Sequence, residues 1–417
     1  MKFISATGAL VVLVGVGACS APKAAEFTLS TGTDSETSSP GTTGDDCPAG
    51  DFEILGECYH QIEVPEILTA RSVVAGDFDG DEVTDLVMTC KGVAESFGIC
   101  FLALDGTIVR LDLDWLRSGD GKVYAGDFND DGIPEVLVSE MYHFGVFSLD
   151  QGAFVELSSL IYESADDVAL EDAVMFPAIP IDVNNDGNSE VVAGSGFNGV
   201  QLWRFDGQNE KWVQAGERQA LFGCGDLVDA RVTDLDGDSM PDLLALGSHN
   251  NCDANLSPGA QWNRISMFMR KSGELELEHV SDFATELAAR RFDVADFKGE
   301  DGSPDLIVAA SENMMLFSGN GDGTFDSPIP APSLAHFLGT GPHAGDYNGD
   351  GIDEVTVEQS GGVYNVLVGL PTPQIVNLPS SIRSVRLVAD LNGDNHADVV
   401  SLSVEGEFPL VLTLSQP

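Results

Sequence analysis

Positive charge is the scarcest thing in this chain. Lysine and arginine together number 19 against 68 aspartates and glutamates, a formal charge of −49 over 417 residues. A surface so acidic repels phosphodiester backbones and anionic headgroups, which excludes nucleic acid as a partner and leaves a bilayer reachable only through an anchor. Helical periodicity is also missing: no long stretch repeats apolar residues at helical spacing. The motifs that announce common active sites are absent, with no HExxH, GxSxG, P-loop or CxxC. Histidines are few and scattered (His60, His143, His249, His279, His336, His343, His396), and none sits in a recognisable acid–base constellation.

Long apolar runs are lacking too, with one exception. After Lys2, residues 4–16 are almost wholly apolar and end in small residues. The run is too short to cross a bilayer comfortably and predicts a secretory signal peptide over residues 1–18. The junction Val16-Gly17-Ala18-Cys19 resembles a bacterial lipobox, whose cysteine becomes acylated, so Cys19 is the expected lipidation site. Residues 19–46 are rich in Ser, Thr, Gly and Asp and cannot bury enough apolar surface to offset chain entropy, which predicts a flexible tether. Beyond Cys19 six cysteines remain, Cys47, Cys58, Cys90, Cys100, Cys224 and Cys252. An even number after an export signal predicts disulfides, with fifteen pairings open.

What the chain does have is a recurring acidic loop. At residues 125–138 it reads AGDFNDDGIPEVLV, with oxygen-bearing side chains at every second position (Asp127, Asn129, Asp131), then Gly132, then Glu135. A hard cation such as Ca²⁺ takes six to eight oxygens from a short loop with a glycine at its sharpest bend. Without a cation these carboxylates would repel one another. One such stretch could be an ordinary Asp/Asn/Gly turn. This one returns seven times, starting at Asp77, Asp127, Asp182, Asp234, Asp296, Asp346 and Asp390. A repeat period near 50 residues marks a propeller or solenoid. Short continuous apolar runs follow the loops, which predicts strands covered on both faces.

The segments GDFDGDEVTDLV, GDFNDDGIPEVLV, IDVNNDGNSEVVA, TDLDGDSMPDLLA, GDYNGDGIDEVTV and ADLNGDNHADVVS resemble FG-GAP/VCBS repeats, the family of the integrin α N-terminal propeller, and GNGDGTF at 319–325 is similar to that family's second hairpin turn. The resemblance implies an all-β fold over residues 47–417: a monomeric seven-bladed β-propeller of four-stranded antiparallel blades, with calcium loops between first and second strands. By position it implies about six structural calcium sites. Their ligands would be Asp77, Asp79, Asp81 and Asp85; Asp127, Asn129, Asp131 and Glu135; Asp182, Asn184, Asp186 and Glu190; Asp234, Asp236, Asp238 and Asp242; Asp346, Asn348, Asp350 and Glu354; and Asp390, Asn392, Asp394 and Asp398. Glu82, Ser239 and Asn395 stand where the family favours glycine, which predicts weaker sites there. In the fifth repeat, ADFKGEDGSPDLIV, Lys298 occupies a ligand position and predicts a turn without calcium.

Strand order in such a propeller also implies the pairings Cys47–Cys58, Cys90–Cys100 and Cys224–Cys252, and implies that the strand at 59–64 completes the last blade. The face opposite the acidic loops then carries the candidate ligand-binding residues Tyr142, His143, His249 and Trp262. The expected function is non-catalytic: a calcium-binding, lipid-anchored surface protein for adhesion or for binding an extracellular protein or glycan. The alternative is an extracellular polysaccharide-active enzyme, lyase-like, on a calcium propeller.

Overall fold

The computed structural model describes residues 47–48, 51–91, 96–116, 121–140, 143–161, 174–195, 200–206, 211–219, 227–247, 264–270, 277–284, 289–299, 302–310, 314–330, 341–359, 362–369, 373–403 and 409–416. Residues 1–46 with Cys19, and Tyr142, His249, Trp262, Cys224 and Cys252, lie outside the described residues.

Every regular element among the described residues is a β-strand. The strands form seven antiparallel sheets: six of four strands running up and down in chain order, and one of five that joins three strands of residues 383–415 to two of residues 52–68. We number them blade 1 (73–112), blade 2 (122–161), blade 3 (174–219), blade 4 (227–284), blade 5 (289–330), blade 6 (343–377) and blade 7 (383–415). The first strands are Val73–Gly76, Lys122–Gly126, Val174–Ile181, Leu227–Thr233, Ala289–Ala295, His343–Gly345 and Arg383–Ala389. Each touches the first strand of the next blade, and the seventh touches the first, so they form a closed ring about a central axis.

The apolar runs after the acidic loops are the second strands. Leu86, Val87 and Met88 in blade 1, and Leu243 to Leu246 in blade 4, are completely buried. They cannot alternate apolar and polar residues because each blade is covered by a neighbour on both sides. Accordingly there is no single core. Seven apolar clusters each straddle two consecutive blades; one joins Phe78, Phe101, Val136 and Phe147 between blades 1 and 2, another joins Leu86 and Met88 to Leu402 and Leu410 between blades 1 and 7. Burying each such side chain contributes about 1.5–3 kcal/mol.

The ring closes with strand exchange between the chain ends. Glu57–Leu68 pairs antiparallel with Pro409–Ser415, setting Tyr59 opposite Ser415 and Val64 opposite Leu410. This is the strand expected at 59–64, longer than anticipated and flanked by a further short strand, Phe52–Ile54, that makes blade 7 five-stranded. Tyr59 is fully buried, and its hydroxyl lies 3.2 Å from the carbonyls of both Tyr347 and Ala397. Cys47–Cys58 is a disulfide that pins the start of this closing strand, and Cys90–Cys100 bridges the second and third strands of blade 1.

Candidate functional site

The acidic loops join first to second strands in all seven blades, which places them together on one face of the ring. Their conformation follows from local hydrogen bonding. In blade 6 the first aspartate, Asp346, accepts the N–H groups of Gly349, Asp350 and Gly351 at 2.7, 3.2 and 2.8 Å. The third oxygen residue, Asp350, accepts Ile352 N–H at 2.9 Å. The same two anchors recur in blade 1 at Asp77 and Asp81, in blade 2 at Asp127 and Asp131, in blade 3 at Asp182 and Asp186, in blade 4 at Asp234 and Asp238, and in blade 7 at Asp390 and Asp394. Carboxylates that accept several backbone N–H groups are thereby oriented before any ligand arrives.

The last acidic residue of each loop opens the second strand and is buried: Asp85, Glu135, Glu190, Asp242, Glu354 and Asp398. Each accepts the backbone N–H of the residue after the first aspartate, from Phe78, Phe128, Val183, Leu235, Tyr347 and Leu391 respectively. Five of those residues plug the apolar layer between blades as fully buried side chains, and Phe128 packs there partly exposed. The buried acid is thus tied to the core on one side and to the loop on the other. Burial, with the neighbouring loop carboxylates adding to it, pushes Asp85, Glu135, Glu190 and Glu354 up to about 7, and Asp242 and Asp398 to about 6. To be fully ionised at neutral pH they need a positive charge nearby.

The donor set fits a hard cation. Asp77, Asp79 and Asp85 each offer an oxygen within 4.8 Å of the others, and so do Asp234, Asp236 and Asp242. In blades 2, 3, 6 and 7 asparagine holds the second position. There Asn129 Nδ2 donates to Glu135 at 2.6 Å and Asn348 Nδ2 to Glu354 at 3.0 Å, so the amide supplies the partial positive charge at that acid. Blade 7 adds an oxygen that the sequence pattern did not reveal: the Ser415 hydroxyl lies 2.8 Å from Asp394 and 2.9 Å from Asp398. Several anionic oxygens on a pre-ordered short loop are the chemistry Ca²⁺ takes.

Three departures from the family pattern have different consequences. The residue after the third ligand is left-handed in all six loops: Gly132, Gly187 and Gly351 at φ 83°, 91° and 83°, and Glu82, Ser239 and Asn395 at 68°, 65° and 67°. Asparagine tolerates this backbone region; glutamate and serine are strained in it. In blade 5 Asp296 accepts Lys298 and Gly299 N–H, and the Lys298 charge lowers the carboxyl of Asp305, which burial otherwise raises. In this loop a cation comes from the chain itself.

Adjacent loops are also stitched together. Asp353 N–H donates to the Asp296 carbonyl at 2.9 Å, and Ala397 N–H to the Asp346 carbonyl at 2.6 Å, each linking one blade to the next.

On the opposite face, His143 opens the third strand of blade 2 and stacks on Trp115 from the end of blade 1, ring centroids 6.0 Å apart. Its neighbour Phe144 is a core residue, edge-on to Trp212 at 4.9 Å. Trp115 was not singled out from the sequence, because only the third dimension brings it beside His143.

A closed ring of seven up-and-down blades, each with an acidic loop between its first two strands, defines a seven-bladed β-propeller. The FG-GAP-like repeat family matches residues 182–245 and 296–357, each match running from one acidic loop through the second strand of the following blade. The chain is a seven-bladed propeller that matches FG-GAP-like repeats over those two stretches. Among curated proteins, none matches it. Similar solved structures include BBS1N in complex with ARL6DN (TM-score 0.55, 11% identity, 85% of this chain and 96% of that chain). They also include the V. cholerae biofilm matrix protein Bap1 (TM-score 0.48, 14% identity, 84% and 88%) and the Bacillus licheniformis rhamnogalacturonan lyase PL11 (TM-score 0.47, 17% identity, 88% and 74%). At these identities the BBS1N likeness is one of fold. FG-GAP repeats together with disulfides point to an extracellular protein.

Proposed function

We propose that this protein is a calcium-stabilised, non-catalytic binding module, exported and held at the cell surface by a lipid on Cys19, where it engages an extracellular protein or glycan. The observation that carries the calcium reading is the sixfold recurrence of one frame: a first aspartate caging three backbone N–H groups or two, and a buried, raised carboxylate behind it. Each ion pins a junction between strands and neutralises a cluster that would otherwise splay. The ligand face is the one opposite, with the Trp115–His143 stack as a platform for a sugar or an anchor for a side chain.

The test is calorimetric titration of the metal-stripped protein with Ca²⁺ and Mg²⁺, followed by melting. About six calcium ions bind, the melting temperature rises substantially, and Mg²⁺ rescues poorly because it demands a smaller octahedral shell. A melting curve unmoved by calcium would end the stabilising role. A glycan and protein array probed with the calcium-loaded domain identifies the ligand class. Labelling with palmitate, lost in Cys19→Ser, tests the anchor.

A further inference from the structure

In a molecule this acidic, the distribution of the few cations is informative, and several converge in the central channel. All seven first strands run toward the acidic face, so equal distance from the loop means equal depth in the channel. Three residues before the first aspartate stand Tyr124, Arg231, Asp293 and His343, from blades 2, 4, 5 and 6; five before it stand Lys122, Asp229 and Arg291, from blades 2, 4 and 5. Arg386 from blade 7 enters the same zone through an irregularity in its strand. At about 3.3 Å per residue this belt lies roughly 10–16 Å from the acidic loops, toward the opposite mouth.

The charges in the belt are unequally matched. Arg231 Nε lies 2.9 Å from Asp293 and its Nη1 lies 3.0 Å from Asp229. Arg291 reaches the other Asp229 oxygen at 3.7 Å, and Asp293 also accepts Ala344 N–H at 3.0 Å. Both aspartates are therefore committed to Arg231 and Arg291. Lys122 and Arg386 have no carboxylate partner among the described residues, and Arg386 Nε is enclosed without a hydrogen-bond acceptor. Burial and the like charge of Arg71 lower the Arg386 guanidinium, with Tyr364 and Glu358 opposing, and Glu358 accepts the Tyr364 hydroxyl at 3.0 Å. Lys122 and Arg386 stand on the first strands of blades 2 and 7, which both flank the first strand of blade 1 on the channel wall. Burial, with the Arg291, Arg231 and Arg386 charges adding to it and Asp229 opposing, holds the Lys122 ammonium down to about 8, and His343 feels both Arg231 and Arg386. Enclosed cations without counter-charges are costly, and an anion delivered from outside removes the cost.

We propose that the channel mouth opposite the acidic loops binds a small oxyanion, a carboxylate or a mineral oxyanion, between the Lys122 ammonium and the Arg386 guanidinium, with Arg231 and Arg291 held in place around it by Asp229 and Asp293. The guanidinium supplies a planar pair of donors and the ammonium a point charge. The site is separate from the acidic loops and does not depend on the ligand face proposed above.

The experiment uses the full chain, calcium-loaded, at constant ionic strength, titrated with acetate, glucuronate or sulfate and followed by calorimetry and melting. At least one of the three binds and raises the melting temperature. Lys122→Met and Arg386→Met each weaken it about tenfold or more, the loss of one charge-assisted contact. Tightest binding by glucuronate indicates a carboxylate carried on a sugar, by acetate a bare carboxylate, and by sulfate a mineral oxyanion; each supports the site. With no anion added, both variants melt at or above the wild type, since each loses an unmatched charge. The proposal is overturned if none of the three anions binds, if the variants bind as the wild type does, or if either variant melts well below the wild type without anion.

Discussion

At the residue scale, the acidic loops rest on one backbone position after the third ligand. It is left-handed in all six loops, whether or not glycine fills it. Left-handed backbone costs an ordinary side chain about 1–2 kcal/mol, partly recovered in the unfolded chain because glycine is more flexible there. Glu82→Gly and Ser239→Gly are therefore expected to stabilise the calcium-loaded protein by about 1 kcal/mol each. Asn395→Gly should change little. Urea unfolding checks all three, and a destabilised Glu82→Gly would show that its side chain does something else. The need for a special residue was readable from the repeats, where glycine is usual. That the exceptions keep the same backbone, rather than reshaping the loop, needed coordinates.

At the scale of the element, an acidic loop is a cage ordered by its own backbone. Asp346 caps three N–H groups, and the carboxylate behind it, Glu354, accepts Tyr347 N–H from the core side. Asp346→Ala removes both the cap and a ligand. It should lower calcium stoichiometry by one and cost about 2–4 kcal/mol in the loaded protein, from several stranded backbone donors and a lost ion. Calorimetric titration and chemical unfolding read the two effects. Lys298 gives the converse case. Lys298→Asn in the calcium-free protein should destabilise blade 5, because Asp305 then loses its charge partner, whereas Asn348→Asp in blade 6 should leave an unneutralised acid that calcium rescues. Melting with and without calcium separates them. The acidic pattern of these loops was legible along the chain because its two-residue alternation is local. The role of Phe78, Val183, Leu235, Tyr347 and Leu391 was not, because their N–H groups reach an acid seven residues away only once the strands pair.

At the scale of the whole molecule, stability depends on closure and on what the channel encloses. Tyr59 belongs to the N-terminal strand yet bonds to carbonyls of blades 6 and 7. Tyr59→Phe leaves those carbonyls without this donor and should cost about 1–2 kcal/mol, while Tyr59→Ala also opens a cavity and should cost about 3–5 kcal/mol. Thermal unfolding that still shows a single transition in both would indicate that the ring opens as a unit. His343 adds a pH dependence. Burial, with Arg231 and Arg386 reinforcing and Asp293 and Asp229 opposing, lowers it from its usual value to about 4. A histidine kept neutral in the fold protonates more readily in the unfolded chain, so its share of stability is present above pH 6.5 and is lost between about 6.5 and 4. The calcium-loaded wild type should lose melting temperature over that interval more steeply than His343→Gln, and equal slopes would remove His343 from the explanation.

Local chemistry determined most of what could be read from the chain: the seven repeats, the acidic loops with their carboxylates, the all-β class, and the strand that closes the ring. Each of these is written within a dozen neighbouring residues, where alternation, turn residues and apolar runs act directly on the backbone. Tertiary structure alone decided which groups from different blades share a space. Lys122, Arg231, Arg291, His343 and Arg386 are spread over more than 260 positions and carry no common motif. They meet because seven parallel-running inner strands bring equal offsets to equal depth around one axis, and charge acts across that space rather than along the chain.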